Sequence, residues 1–161
     1  MDHVDDRLKT LSTEKRKILI DADAFIGLIY AKDANHQFAS KIVELLTDVQ
    51  LITSSHAYGE AITILSQKAG RNVAFKFIYD IGRSSTQIID VGFALRLAAE
   101  KIFKRQTSKN VSFTDCVNMA ILEKFGLREI FSFDSDYKKN GFVRVGVDKK
   151  LEGEVVNEEK K

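Results

Sequence analysis

The chain has 161 residues, 44% hydrophobic and 30% charged, enough for one domain with its own core. No apolar run approaches the roughly 18 residues that span a bilayer, and the polar opening "MDHVDDRLKTLSTEKRK" is no secretory signal. One cysteine, Cys116, excludes an intramolecular disulfide and suits a reducing, cytoplasmic setting, while 25 basic against 23 acidic residues (net +2) do not announce a nucleic-acid binder by sum alone.

Residues 1–16 read as a frayed tail. "KILI" (17–20) then reads as a strand, and it runs straight into two carboxylates, Asp21 and Asp23. "HQFASKIVELLTD" repeats its apolar face at Phe38, Ile42, Leu45 and Leu46 and is predicted helical. "VQLITS" (49–54) is a second strand. "HAYGEAITILSQKAG" follows as a helix that stops on Gly70. "NVAFKFIYDIG" is a further helix, whose Phe75, Phe77, Ile78 and Ile81 supply either the core or a homodimer face. "TQIIDV" (86–91) is a strand and "GFALRLAAEKIFKRQ" a helix. "SFTDCVNMAILEKFGL" is another helix, closed by Gly126. "EIFSF" (129–133) and "FVRVGV" (142–147) complete the strands, and residues 148–161 form a charged tail.

Strands alternating with helices imply an α/β fold, with a central, mostly parallel sheet of about five strands and helices on both faces. In such open sheets ligands bind beyond the carboxyl ends of the strands. Asp21 and Asp23 follow the first strand; Asp134 and Asp136, in "FSFDSDY", follow the fourth. Glu60 lies in the helix after the second strand and Asp115 opens a late helix. Each has a bland alternative. Asp21 or Asp23 can cap a helix, Ser112-x-x-Asp115 resembles a capping box, and Asp134 and Asp136 can close Asx turns. Glu60 shares a face with Ala57 and Ile64, with no lysine or arginine within a turn, so a cation from outside is the expected partner. Clustered carboxylates with no histidine or cysteine placed among them suit magnesium or manganese. His3, His36 and His56 are scattered, and Cys116 reads as a small core residue.

Taken together, "ILIDAD", "YGEAITIL", "SFTDCVNMAIL" and "FSFDSDY" resemble the PIN-domain nucleases, including the VapC-like toxins, over about residues 17–146. The resemblance implies a three-layer α/β/α sandwich for residues 17–147 and Mg2+- or Mn2+-dependent cleavage of RNA phosphodiesters. It assigns catalysis to Asp21, Glu60, Asp115 and Asp134, which would also bind metal, with Asp136 as an additional acidic ligand. Ser132, Asn118 and Asp23 would support that set; Asp23 stands where the family often carries a small polar residue. It further implies an antitoxin partner and a homodimer. An acidic cleft needs basic groups around it to receive a polyanion. Arg16, Lys101, Lys104, Arg105 and Lys109 are the main candidates, followed by Lys17, Arg83, Lys138 and Lys139. No aromatic platform for bases is evident in the sequence.

Two other readings compete. "ILIDADAF" also resembles the first motif of haloacid-dehalogenase-type phosphatases, with Asp21 as the phosphoryl-accepting nucleophile. That reading gives Glu60 and Asp115 no task. The other is a catalytically idle PIN-like module that only binds RNA or protein.

Overall fold

The β-branched run after Lys17 forms the centre of the molecule in the computed structural model, which describes residues 14–152. Strand β1 (Arg16–Ile20) lies in the middle of a five-stranded sheet ordered β3-β2-β1-β4-β5. Its neighbours are β2 (Val49–Ser54), β3 (Gln87–Ile89), β4 (Glu129–Phe131) and β5 (Val143–Arg144), all paired in parallel. Ile18, Leu19 and Ile20 are each fully buried, because both faces of the sheet are covered. Burying one such side chain contributes about 1.5–3 kcal/mol.

Register separates the two faces. Leu19 aligns with Ile52 on β2 and Ile130 on β4, and these three join the core under helices α5 (Phe93–Arg105) and α6 (Phe113–Lys124). Ile18, Ile20 and Phe131 point the other way. They pack against α1 (Ala22–Ile29), α2 (His36–Leu45), α3 (Ser55–Ala69) and α4 (Arg71–Arg83). A short helix, α7 (Ser135–Lys139), follows β4. This is the expected α/β/α sandwich, with the sheet parallel throughout.

Gly70 ends α3 and begins α4 at φ +98°, a backbone state that a side chain would strain, so the reversal is built on it. Gly146 has φ +73°, and a Cβ there would stand 2.5 Å from the Ile42 side chain. β5, expected over 142–147, runs only over Val143–Arg144, because the chain turns there: Val147 N and Asp148 N both donate to Arg144 O. The edge strand β3 is likewise shorter than expected. The packing continues past the expected boundary at 147: Asp148 holds Arg144, and Leu151 is buried in the core of the α1–α4 layer. Most of the two charged tails lies outside the described residues.

On α4, Phe77 is buried, whereas Phe75 and Ile78 are exposed. Only part of that apolar supply therefore serves the core. Among the described residues no helix is long and apolar enough to cross a membrane.

Candidate active site

The chain winds outward from β1 through β2 and β3 on one side, then returns to place β4 and β5 on the other. Winding thus reverses between β1 and β4, and the crevice at their carboxyl ends is where such sheets bind ligands. Asp21 stands at this point. Its amide donates to Phe131 O of β4 (3.1 Å), and Thr53 Oγ1 of β2 donates to Ile20 O (2.9 Å), which pins the end of β1.

Asp21 is buried and N-caps α1, as the capping reading expects, and the same carboxyl faces the crevice. Its Oδ1 accepts from Ala22 N (2.7 Å) and Asn118 Nδ2 (2.8 Å); its Oδ2 accepts from Tyr137 Oη (2.9 Å). Asp115 has the same double role. Its Oδ2 closes a capping box with Ser112 N (2.7 Å), while Oδ1 faces Tyr137 Oη at 3.2 Å. Asn118 lies one turn further on, fully buried, and takes Ser54 Oγ on its carbonyl (2.7 Å). Ser54 also caps α3, which ties that helix to the cluster.

The segment after β4 is held from both sides. Phe133 N donates to Asp23 Oδ2 (2.8 Å), and Phe133 O accepts from Arg144 Nη1 (2.9 Å). Ser132 Oγ donates to Asp23 Oδ2 (3.0 Å) and accepts from Asp134 N (3.1 Å). Asp134 is half-buried and caps α7 by accepting Asp136 N (2.8 Å). Asp23 Oδ1 is buried with no hydrogen-bond partner.

These carboxyls are costly to ionise. Desolvation, followed by the charges of Asp23 and Asp115, pushes Asp21 well above the usual carboxylate range. Desolvation also raises Asp23 to about 6, and it raises Asp115. Tyr137 rises well above an ordinary phenol, first through burial and then through Asp21 and Asp115. Among the described residues no lysine or arginine hydrogen-bonds to Asp21, Asp23, Asp115 or Asp134. The donor set, all hard oxygen, fits a hard divalent cation, and the orphaned Asp23 Oδ1 fits the same need. However, no three acidic, histidine or cysteine side chains among the described residues converge into a ready-made metal cage.

Not every expected residue joins this cluster. Glu60 is half-buried on α3 and makes no hydrogen bond or ion pair among the described residues; it is not among the charges that act on Asp21 or Asp115. The carboxylate of Asp136 turns to Lys139 Nζ (2.7 Å) and so has its counter-charge already. Arg16 begins β1, at the opposite end of the sheet from Asp21, where Glu129 grips it through both oxygens (2.6 and 2.7 Å). That placement removes it from the basic rim of the crevice. Lys17, Lys138, Lys139 and Arg83 are also engaged, the last over the Tyr79 ring. Lys101, Lys104 and Lys109 are exposed and in no ion pair among the described residues, and Arg105 only approaches Glu123 at 3.8 Å. Tyr137 and Ser54 are members the sequence reading missed. Both close quoted stretches, "FSFDSDY" and "VQLITS", yet nothing local shows that their hydroxyls turn inward.

The family model of the PIN domain matches residues 18–143. The chain belongs to the PIN-domain family. Among its relatives is the 23S rRNA-specific endonuclease VapC20 of Mycobacterium tuberculosis, from strains CDC 1551 / Oshkosh and ATCC 25618 / H37Rv. It is 27% identical over 128 residues, which cover 80% of this chain and 97% of the relative. The crystal structure of M. tuberculosis VapC20, described as a sarcin-ricin loop cleaving toxin, superposes with a TM-score of 0.73. At 25% identity it covers 78% of this chain and 96% of VapC20. Family membership sets aside the haloacid-dehalogenase-type reading of Asp21 and Asp23.

Proposed function

We propose that this PIN domain is an endoribonuclease of the VapC type, using Mg2+ or Mn2+ held by Asp21, Asp115 and Asp134. The observation that carries the reading is the cluster itself: carboxyls from the end of β1, α6 and the end of β4, the first two buried and desolvated, all without basic partners among the described residues, at the switch point of the sheet. When bound, such an ion stabilises charge on the phosphate and leaving oxygen and makes water a stronger nucleophile. Asn118 and the α1 cap fix the rotamer of Asp21. Tyr137 holds its proton between Asp21 and Asp115 and limits how far the two can separate. Ser132 joins Asp23 to the backbone of Asp134 and so holds the β4 end against the α1 start.

The toxin role, with an antitoxin partner, a homodimer and a cytoplasmic setting, belongs to the same proposal, supported by the likeness to VapC20. That likeness makes 23S rRNA the first substrate to try. The test is cleavage of structured RNA with magnesium or manganese, beside Asp21→Asn and Asp115→Asn chains. Metal-dependent cutting that either substitution lowers more than tenfold is expected. Equal cutting by the variants sinks the reading, and metal binding without any cutting favours the idle module.

A further inference from the structure

Beside the carboxyl cluster runs a strip of three aromatic rings that the sequence, with its members at positions 56, 103 and 113, does not advertise. His56 and Phe113 have ring centroids 6.1 Å apart, and Phe113 and Phe103 6.3 Å. The strip is rooted in the elements that build the site. His56 is two residues beyond Ser54, whose hydroxyl holds Asn118. Phe113 is the first residue of α6, between the capping partners Ser112 and Asp115. Phe103 closes the row from the last turn of α5 and is 48% exposed; His56 is exposed and Phe113 half-buried.

Three of the solvent-facing aromatics, Phe75, Tyr79 and Phe93, each carry an arginine over the ring: Arg71 at 5.2 Å, Arg83 at 5.4 Å and Arg96 at 5.2 Å. Among the described residues no such cover lies over His56, Phe103 or Phe113, nor over the exposed rings of Phe38 and Phe125. Close by in the chain, Lys104 at the end of α5 and Lys109 in the loop joining α5 to α6 are exposed and in no ion pair among the described residues. Carboxylates, bare rings and unpaired lysines are the parts needed to bind single-stranded nucleic acid beside an acidic centre. Bases stack on the rings while phosphates are drawn to the lysines, away from the carboxylates.

We propose that His56, Phe113 and Phe103 form a stacking strip for unpaired bases of single-stranded or looped RNA next to the scissile bond. This rests on the ribonuclease reading and gives its substrate class. It predicts that the preferred RNA has unstacked bases, since a closed duplex offers none to the strip.

The probe is a short single-stranded oligoribonucleotide carrying 2-aminopurine, whose fluorescence falls when the base stacks. It is titrated with the full chain in chelator, so that no bond is cut. Quenching on binding is expected. Phe103→Ala should weaken binding about 5- to 150-fold, the range of one lost base–aromatic stack. Phe103→Leu, which keeps apolar bulk but loses the ring, should do the same, and Phe103→Trp should restore affinity and quenching. Unchanged circular dichroism and thermal unfolding show that the fold survives. Undiminished binding and quenching in Phe103→Leu overturn the strip. So does a Phe103→Ala chain that keeps its quenching but loses concentration-dependent self-association, because the strip is then a face between copies. The two readings fail separately. Quenching without any metal-dependent cleavage removes the nuclease and leaves the strip, whereas cleavage with no quenching removes the strip alone.

Discussion

The Tyr137 hydroxyl has one proton and three polar neighbours. Asn118 Nδ2 donates to it at 2.9 Å, so its own proton can go to Asp21 Oδ2 or to Asp115 Oδ1, but not to both. One contact is therefore oxygen facing oxygen unless a carboxyl is protonated, which agrees with the weakened acidity of both carboxyls. Tyr137→Phe should cost about 1–3 kcal/mol in urea unfolding, since it leaves a buried carboxyl and an amide short of a partner. The pH dependence of the metal-free chain follows the same logic. Asp21, Asp23 and Asp115 have folded-state values above the unfolded 3.8, with Asp23 at about 6. The folded state then holds more protons than the unfolded one between these values. The stability Asp23 contributes is complete below about pH 4 and is lost as pH rises through about 6, and Asp21 and Asp115 act in the same direction. Thermal unfolding in chelator should show that decline, and Asp23→Asn should flatten it. An unchanged slope in Asp23→Asn sinks the assignment.

At the scale of elements, the helix starts carry both fold and site. Ser112→Ala removes one side of the α6 capping box and should cost about 1 kcal/mol. It also releases the main chain around Asp115, so cleavage should fall with it; full activity in a measurably destabilised Ser112→Ala chain contradicts that link. Arg144 joins β5 to Phe133 O and forms a largely buried pair with Asp148 (2.9 Å), whose pKa the guanidinium's hydrogen bonds lower to about 2. Arg144→Met leaves Asp148 without its principal partner and should destabilise the chain by several kcal/mol, as broken buried pairs do. Much of this was legible beforehand. "VQLITS" matched β2 residue for residue, because a helix cap and a turn frame its apolar run. "SDYKK" has no apolar periodicity, so α7 was invisible, and the inward turn of Tyr137 with it. The inward face assigned to Glu60 is only half-buried, and spacing alone could not tell a shoulder from a core position.

For the whole molecule, the strand order matters most, because it brings residues 21, 115 and 134 to one edge while leaving residue 16 at the other. Sequence showed which residues follow strands, but not which strands are neighbours; that was decided by the register of Leu19 with Ile52 and Ile130. The cluster is poorly compensated on its own, so an added divalent ion should stabilise the fold. Saturation at about 100 times the dissociation constant is worth about 2.7 kcal/mol. Unfolding temperature should therefore rise with magnesium or manganese, fall back with chelator, and respond far less in Asp115→Asn. No metal-induced rise in the unaltered chain counts against the site.

Asp21 and Asp134 are each the cap of a helix, where asparagine serves about as well as aspartate. One base change turns an aspartate codon into an asparagine codon. Under the proposed function, a lineage carrying this gene could therefore disarm it in a single mutational step without unfolding the product. The product of such a step would keep its shape and its exposed rings, and would pass from cutting transcripts to holding them.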